Sequence, residues 1–197
     1  MAWQPIPIPA SIKQTPIRAE AEHLIDVAND AIEAFWLNSD AEFEHFVACD
    51  FHLLDQAITW IVQNDLMAGN RFCELGSGFG VGAMLATIHG MEAIGIEIEP
   101  ILVEQSVRLA SELGSAAKFH CGSYIPQGMK DTAGNINQGA DIYEQIGIPL
   151  TGMHFIFAYP WPEERAAFDA LMESLTAKGT LLMTYQGRTG MRLVRNE

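Results

Sequence analysis

Phe72-Cys73-Glu74-Leu75-Gly76-Ser77-Gly78-Phe79-Gly80-Val81-Gly82, followed shortly by Ala93-Ile94-Gly95-Ile96-Glu97, decides how this chain is read. A short apolar strand runs into a turn with glycine at every second position and an acidic side chain at Glu74. A second strand then ends near another carboxylate, Glu97. This order suits a nucleoside: a turn without Cβ atoms lets the main chain approach the ligand, and the carboxylate accepts hydrogen bonds from ribose hydroxyls.

Spacing breaks one common glycine-loop pattern and rules out another. A dinucleotide-binding turn needs its third glycine three positions after the second, and that position is Val81. A carboxylate at Glu74 would also repel a pyrophosphate while suiting a cationic amino acid. No Gly-Lys-Ser/Thr closes the loop, so a Walker A phosphate loop is absent.

Outward from the turn, apolar spacing gives a strand–helix alternation. Strands are predicted at Arg71–Leu75, Ala93–Ile98, Ala117–Cys121, Met153–Tyr159 and Thr180–Tyr185. Helices are predicted through Val81, Met84, Leu85 and Ile88, then after Pro100 with Val103, Val107 and Ala110 inward, and from Pro162 with Phe168, Leu171, Met172 and Leu175 inward. Residues 127–140 form a polar loop or partly mobile lid, and Asp141 to Ile146 a short helix. The pattern predicts an α/β fold: a three-layer, Rossmann-like, mostly parallel sheet preceded by N-terminal helices. Residues 1–66 read as an arm and helical segment packed on a core formed by 67–197, one compact domain overall. In the first part, 1–17 is an extended arm and Glu20 to Trp36 an amphipathic helix. Ser39 and Glu42 have the spacing of a capping box, and Leu54, Ala57, Ile58, Ile61 and Val62 mark another helical face. Only twelve residues follow Tyr185, enough for one strand at Met191 to Val194. The far sheet edge is then reduced, donated by a partner in a homodimer, or supplied by the N-terminal segment.

Charge narrows the partners. Eleven basic against twenty-five acidic residues give a net charge of −14, and residues 1–66 alone carry two basic and eleven acidic side chains. That field opposes a phosphate backbone, so nucleic acid is disfavoured. No apolar run is long enough for a signal peptide or membrane span, and Cys49, Cys73 and Cys121 read as buried free thiols, which together predict a cytoplasmic protein. The six histidines show no metal-ligand spacing, so no metal is expected; His120 and His154 read as hydrogen-bonding groups at the edge of the core, with a meeting across neighbouring strands as the other reading.

The motifs resemble those of the class I S-adenosylmethionine-dependent methyltransferases, over about residues 50–185. In that family acidic-x-Gly-x-Gly-x-Gly after the first strand binds the methionine part of the cofactor, and here it reads Glu74-Leu75-Gly76-Ser77-Gly78-Phe79-Gly80. The acid ending the second strand, which grips the ribose, matches Glu97, with Ile98 beside it. The turn after the third strand matches Gly122-Ser123-Tyr124, where Ser123 replaces the usual aspartate near adenine. The resemblance implies S-adenosyl-L-methionine as cofactor and methyl transfer as activity.

Tyr159-Pro160-Trp161-Pro162 occupies the loop that abuts the methyl donor in this family. It is similar to the Pro-Trp-Pro of the tRNA guanine-N7 branch without its preceding acid. Glu74-Leu75-Gly76-Ser77-Gly78 with Gly95-Ile96-Glu97 also looks like the corresponding stretch of the histone-lysine methyltransferases that share the fold. The acceptor implied is a small molecule or a basic protein, with Tyr159 as a substrate-facing hydroxyl and Trp161 as an aromatic wall suited to a cationic group. Two alternatives stay open at this point: a non-catalytic nucleoside-binding module acting through a protein partner, and a nucleotide-linked oxidoreductase.

Overall fold

The computed structural model describes residues 3–38 and 49–197; the capping box expected at Ser39 and Glu42 lies outside them. Seven strands form one sheet: β1 Trp3–Ile6, β2 Arg71–Leu75, β3 Glu92–Glu97, β4 Lys118–Cys121, β5 Phe155–Ala158, β6 Leu181–Tyr185 and β7 Met191–Asn196. Their order is β1-β7-β6-β5-β2-β3-β4. β2 to β6 are mutually parallel, and β7 runs antiparallel to β6. The helices are α1 Ala19–Asn38, α2 Phe51–Gln63, α3 Val81–Ile88, α4 Pro100–Glu112, α5 Ile142–Ile146 and α6 Arg165–Leu175.

Alternation along the strands sorts side chains into two layers. Phe72, Phe155, Phe157, Leu181, Met183 and Leu193 meet α1, α2, α3 and α4 on one face. Cys73, Leu75, Ile156, Leu182 and Val194 meet α5 and α6 on the other. The result is the expected three-layer, mostly parallel architecture. The N-terminal helices complete one of its layers, with Leu24, Ile25, Leu54 and Ile58 in the same cluster as the sheet residues.

The far edge is closed by the chain's own N-terminal segment. β1 pairs antiparallel with β7, Trp3 opposite Asn196 and Ile6 opposite Leu193. Two successive antiparallel pairings bring β1 back into the direction of the central strands. The Trp3 indole donates to the Asp169 carbonyl of α6 (2.9 Å), and the Asp169 carboxylate pairs with Arg192 of β7 (2.9 Å). Part of the extended arm is thus a sheet strand, with Pro5 on an edge that needs no further donor.

Several local expectations are corrected. The buried face of α4 is Leu102, Ser106, Leu109 and Ala110, and Val107 is 51% exposed. Ser106 tolerates burial because its hydroxyl donates to the Val103 carbonyl (2.8 Å). Val62 of α2 is also exposed, one position past the stripe that ends at Ile61. Pro162 to Glu164 form a turn, closed by the Glu164 N–H on the Trp161 carbonyl (3.0 Å), and α6 begins only at Arg165. Cys121 is exposed and Cys49 half-buried; only Cys73 is a core thiol. His120 and His154 do not meet, because β3 and β2 lie between β4 and β5. His154 is the hydrogen-bonding group expected at the core edge, its Nδ1 accepting from the Arg71 N–H (3.1 Å).

Candidate functional site

β2 pairs with both β3 and β5, and the chain leaves it in opposite directions across the sheet. Crevices at such a switch point, beyond the carboxyl ends of the strands, are where open α/β sheets bind ligands. The glycine turn stands there. Gly76, Gly78 and Gly80 have φ of 67°, 51° and 73°, the left-handed region that disfavours a side chain. The Gly76 and Ser77 N–H groups donate to the Ile96 carbonyl (2.9 and 3.1 Å), tying the turn to β3. At Gly80 a Cβ would also overlap the Phe119 ring of β4.

Glu97 is buried at the end of β3. Its Oε2 accepts from the Gly78 N–H (2.8 Å), and its Oε1 from those of Ile98 (2.7 Å) and Glu99 (3.0 Å). An ionised carboxylate offers about four acceptor positions, so Oε2, with one donor, keeps room for another. Ile98 follows, 63% exposed despite its apolar side chain.

Glu74 is buried beneath the turn on the helical face. Its Oε2 accepts from the Ala83 N–H at the start of α3 (2.9 Å), favourable for an anion at a helix N-terminus. Burial nevertheless pushes this carboxyl up to about 8; the Ala83 and Gly82 N–H groups work against the rise, and the Glu97 charge adds to it. Among the described residues no basic side chain forms an ion pair with it. Ser77 Oγ is likewise buried and without a hydrogen-bond partner, in space left by the missing side chain of Gly95.

At the end of β4, Gly122 donates to the Glu97 carbonyl (2.9 Å), which brings Ser123 and Tyr124 beside the β3 end. Ser123 Oγ accepts from the Ile125 N–H (3.1 Å) within the turn. The Tyr124 ring lies edge-to-face on Phe168 (6.2 Å), and burial, followed by the Glu164 and Asp131 charges, pushes its hydroxyl up to about 12.

On the other side of the switch point, Tyr159 follows β5 and its ring meets Tyr185, the last residue of β6, at 4.8 Å and 74°. Trp161 is half-buried in the next turn. Tyr185 and Asp50 escaped the sequence reading. Asp50 caps α2 by accepting from the Leu53 N–H (2.9 Å), its main chain reaches the Tyr185 hydroxyl, and its charge acts on that ring. The adjoining Cys49 links the halves: burial raises its thiol, and the charges of Glu74 and Asp50 raise it further. The aspartate's spacing before an amphipathic helix marks a cap, while its approach to a strand end over 130 residues away has no local signature.

No protein-family model matches the sequence, and no curated protein sequence matches it. Solved structures do match. An RNA methyltransferase from Salinibacter ruber, in complex with S-adenosyl-L-homocysteine, is 21% identical, covers 76% of this chain and 92% of its own, and superposes with a TM-score of 0.53. A candidate caffeoyl-CoA O-methyltransferase from Staphylococcus aureus is 11% identical over 91% of this chain and all of its own (100%), with a TM-score of 0.56. The Bacillus cereus O-methyltransferase, also bound to S-adenosylhomocysteine, is 13% identical, with coverage of 89% and 69% and a TM-score of 0.53. The chain has the methyltransferase fold. Within that fold, a buried carboxyl with no ion-pair partner among the described residues, the unpaired Ser77 hydroxyl and a turn with glycine at every second position fit a ligand that combines a cationic amino acid with a ribose.

Proposed function

We propose that the protein is a methyltransferase that uses S-adenosyl-L-methionine and acts on a small-molecule or basic protein acceptor. The observation that carries this reading is the pairing of two buried carboxylates around one turn of bare main chain. Among the described residues Glu74 has no basic partner in an ion pair, and Glu97 has spare acceptor capacity at the next strand end.

In this reading Glu74 receives the ligand's ammonium group, directly or through water, and the ionised form of its carboxyl is favoured by that charge. The main chain of Gly76, Ser77, Gly78 and Gly80 packs against the amino-acid arm, and Glu97 Oε2 accepts from a ribose hydroxyl. Ile98 offers an apolar face to the purine, while Ser123 and the Tyr124 main chain border its edge. When bound, the cofactor supplies an electrophilic methyl group on a sulfonium. The chain's task is then alignment, since fixing two reactants lowers a barrier by up to about 7–11 kcal/mol in favourable cases. Tyr159 and Trp161 border the acceptor side, where the Tyr159 hydroxyl can orient a nucleophile.

The charge of −14 favours a neutral or cationic acceptor over a nucleic acid. No described helix is long and apolar enough to cross a membrane. Thermal unfolding with S-adenosylhomocysteine or NADH tests the assignment. A ligand at 100 times its Kd stabilises the folded state by about 2.7 kcal/mol. S-adenosylhomocysteine is expected to raise the midpoint and NADH to leave it unchanged; the reverse pattern would favour the oxidoreductase.

A further inference from the structure

We propose that the corner formed by Tyr159, Tyr185 and Asp50 holds a cationic, ammonium-type head group of the methyl acceptor. This rests on the methyltransferase reading, because it assigns that enzyme's acceptor side.

Three observations converge. First, the corner occupies the ends of β5 and β6, on the opposite side of the switch point from the turn and Glu97, so an acceptor here does not compete with the nucleoside. Second, the two rings meet edge-to-face and both residues are only half-buried, which leaves aromatic surface open. A cation over such a face is attracted by the ring quadrupole. The Tyr159 hydroxyl faces Gly187, where no side chain fills the space. Third, Asp50 is exposed and uses Oδ1 for its cap, so its carboxylate retains acceptor positions toward solvent. The Asp50 main chain reaches the Tyr185 hydroxyl, which ties the carboxylate-bearing residue to the ring pair. A positive head group would meet aromatic faces and one counter-charge that forms no ion pair among the described residues.

The arrangement discriminates by charge more than by shape. Choline and its uncharged isostere 3,3-dimethyl-1-butanol therefore serve as probes, titrated at physiological ionic strength so that the diffuse negative field is screened. The protein is saturated with S-adenosylhomocysteine and observed through tyrosine ring NMR signals, assigned with Tyr159→Phe and Tyr185→Phe. Choline is expected to bind about 10-fold more tightly than the isostere and to shift the Tyr159 and Tyr185 signals. Asp50→Asn, which preserves a helix cap, is expected to abolish most of that preference while leaving S-adenosylhomocysteine affinity intact. Equal binding of the two probes, binding of neither, or a preference insensitive to Asp50→Asn would overturn the proposal. Failure of S-adenosylhomocysteine itself to bind would instead overturn the methyltransferase reading; repeating the choline titration on the unloaded protein then judges the corner by itself.

Discussion

The two sides of the switch point are built by different physics. Around β2, β3 and β4 the site is main chain and carboxylate: glycines at positive φ, N–H groups directed at Glu97, and a buried Glu74 at the start of α3. Around β5 and β6 the surface is aromatic side chain, half-buried, with the Asp50 main chain reaching the Tyr185 hydroxyl. The first side has little freedom to change residue type, because its function resides in backbone geometry. The second can exchange side chains while the sheet stays intact.

The largest test of the contrast is Gly80→Ala. A Cβ at positive φ costs roughly 1–2 kcal/mol, and overlap with a packed ring adds about 1–3 kcal/mol. We expect a stability loss of about 2–5 kcal/mol by denaturant unfolding, together with loss of cofactor binding. A neutral result would mean that the turn does not depend on its bare backbone.

Next comes the sheet edge formed by β1. Deleting residues 1–8 removes β1 and uncovers β7. Burial of the partly exposed Trp3 and Ile6 is worth about 2–3 kcal/mol in total, so a lower unfolding midpoint is expected. Self-association by light scattering should accompany it, as unpaired edges seek partners. A truncated chain that remained monomeric and equally stable would show that β1 is dispensable.

Glu74 separates the halves by pH. Its folded-state value of about 8 lies above the ordinary 4.5, so between those values the folded protein holds more of this proton than the unfolded chain. Its contribution to stability is therefore fully present below pH 4.5 and declines as pH rises toward 8. Binding of a cationic amino acid at Glu74 reverses the preference, so cofactor affinity should rise across the same interval with release of a proton. Calorimetry in buffers of different ionisation enthalpy reads that proton, and Glu74→Gln should eliminate it. The smallest effect is expected from Tyr159→Phe: stability within about 0.5 kcal/mol of the parent, unchanged cofactor affinity, and a higher KM for the acceptor in a methyl-transfer assay.

How much was legible follows the same division. Strand β2, the turn and Glu97 announce themselves because backbone conformation restricts residue choice, and the alternation of strands and helices fixed the parallel core. Positions decided by long-range packing were less visible. Val107 looked inward because valine is apolar, whereas Leu102 and Leu109 set the helix face and Ser106 satisfies itself. The pairing of β1 with β7 joins residues near opposite ends of the chain, which no local period encodes. Tyr185 read only as the last residue of a strand; its neighbours Tyr159 and Asp50 come from other elements.

The most direct measurement is calorimetric titration of S-adenosylmethionine and S-adenosylhomocysteine into the parent protein and Glu97→Ala. Saturable, one-to-one binding of both compounds is predicted in the parent. Loss of a charge-assisted hydrogen bond worth about 1.5–3 kcal/mol should weaken the variant roughly 10- to 150-fold. Binding that survives Glu97→Ala at full strength, or no binding by the folded parent, would contradict the account.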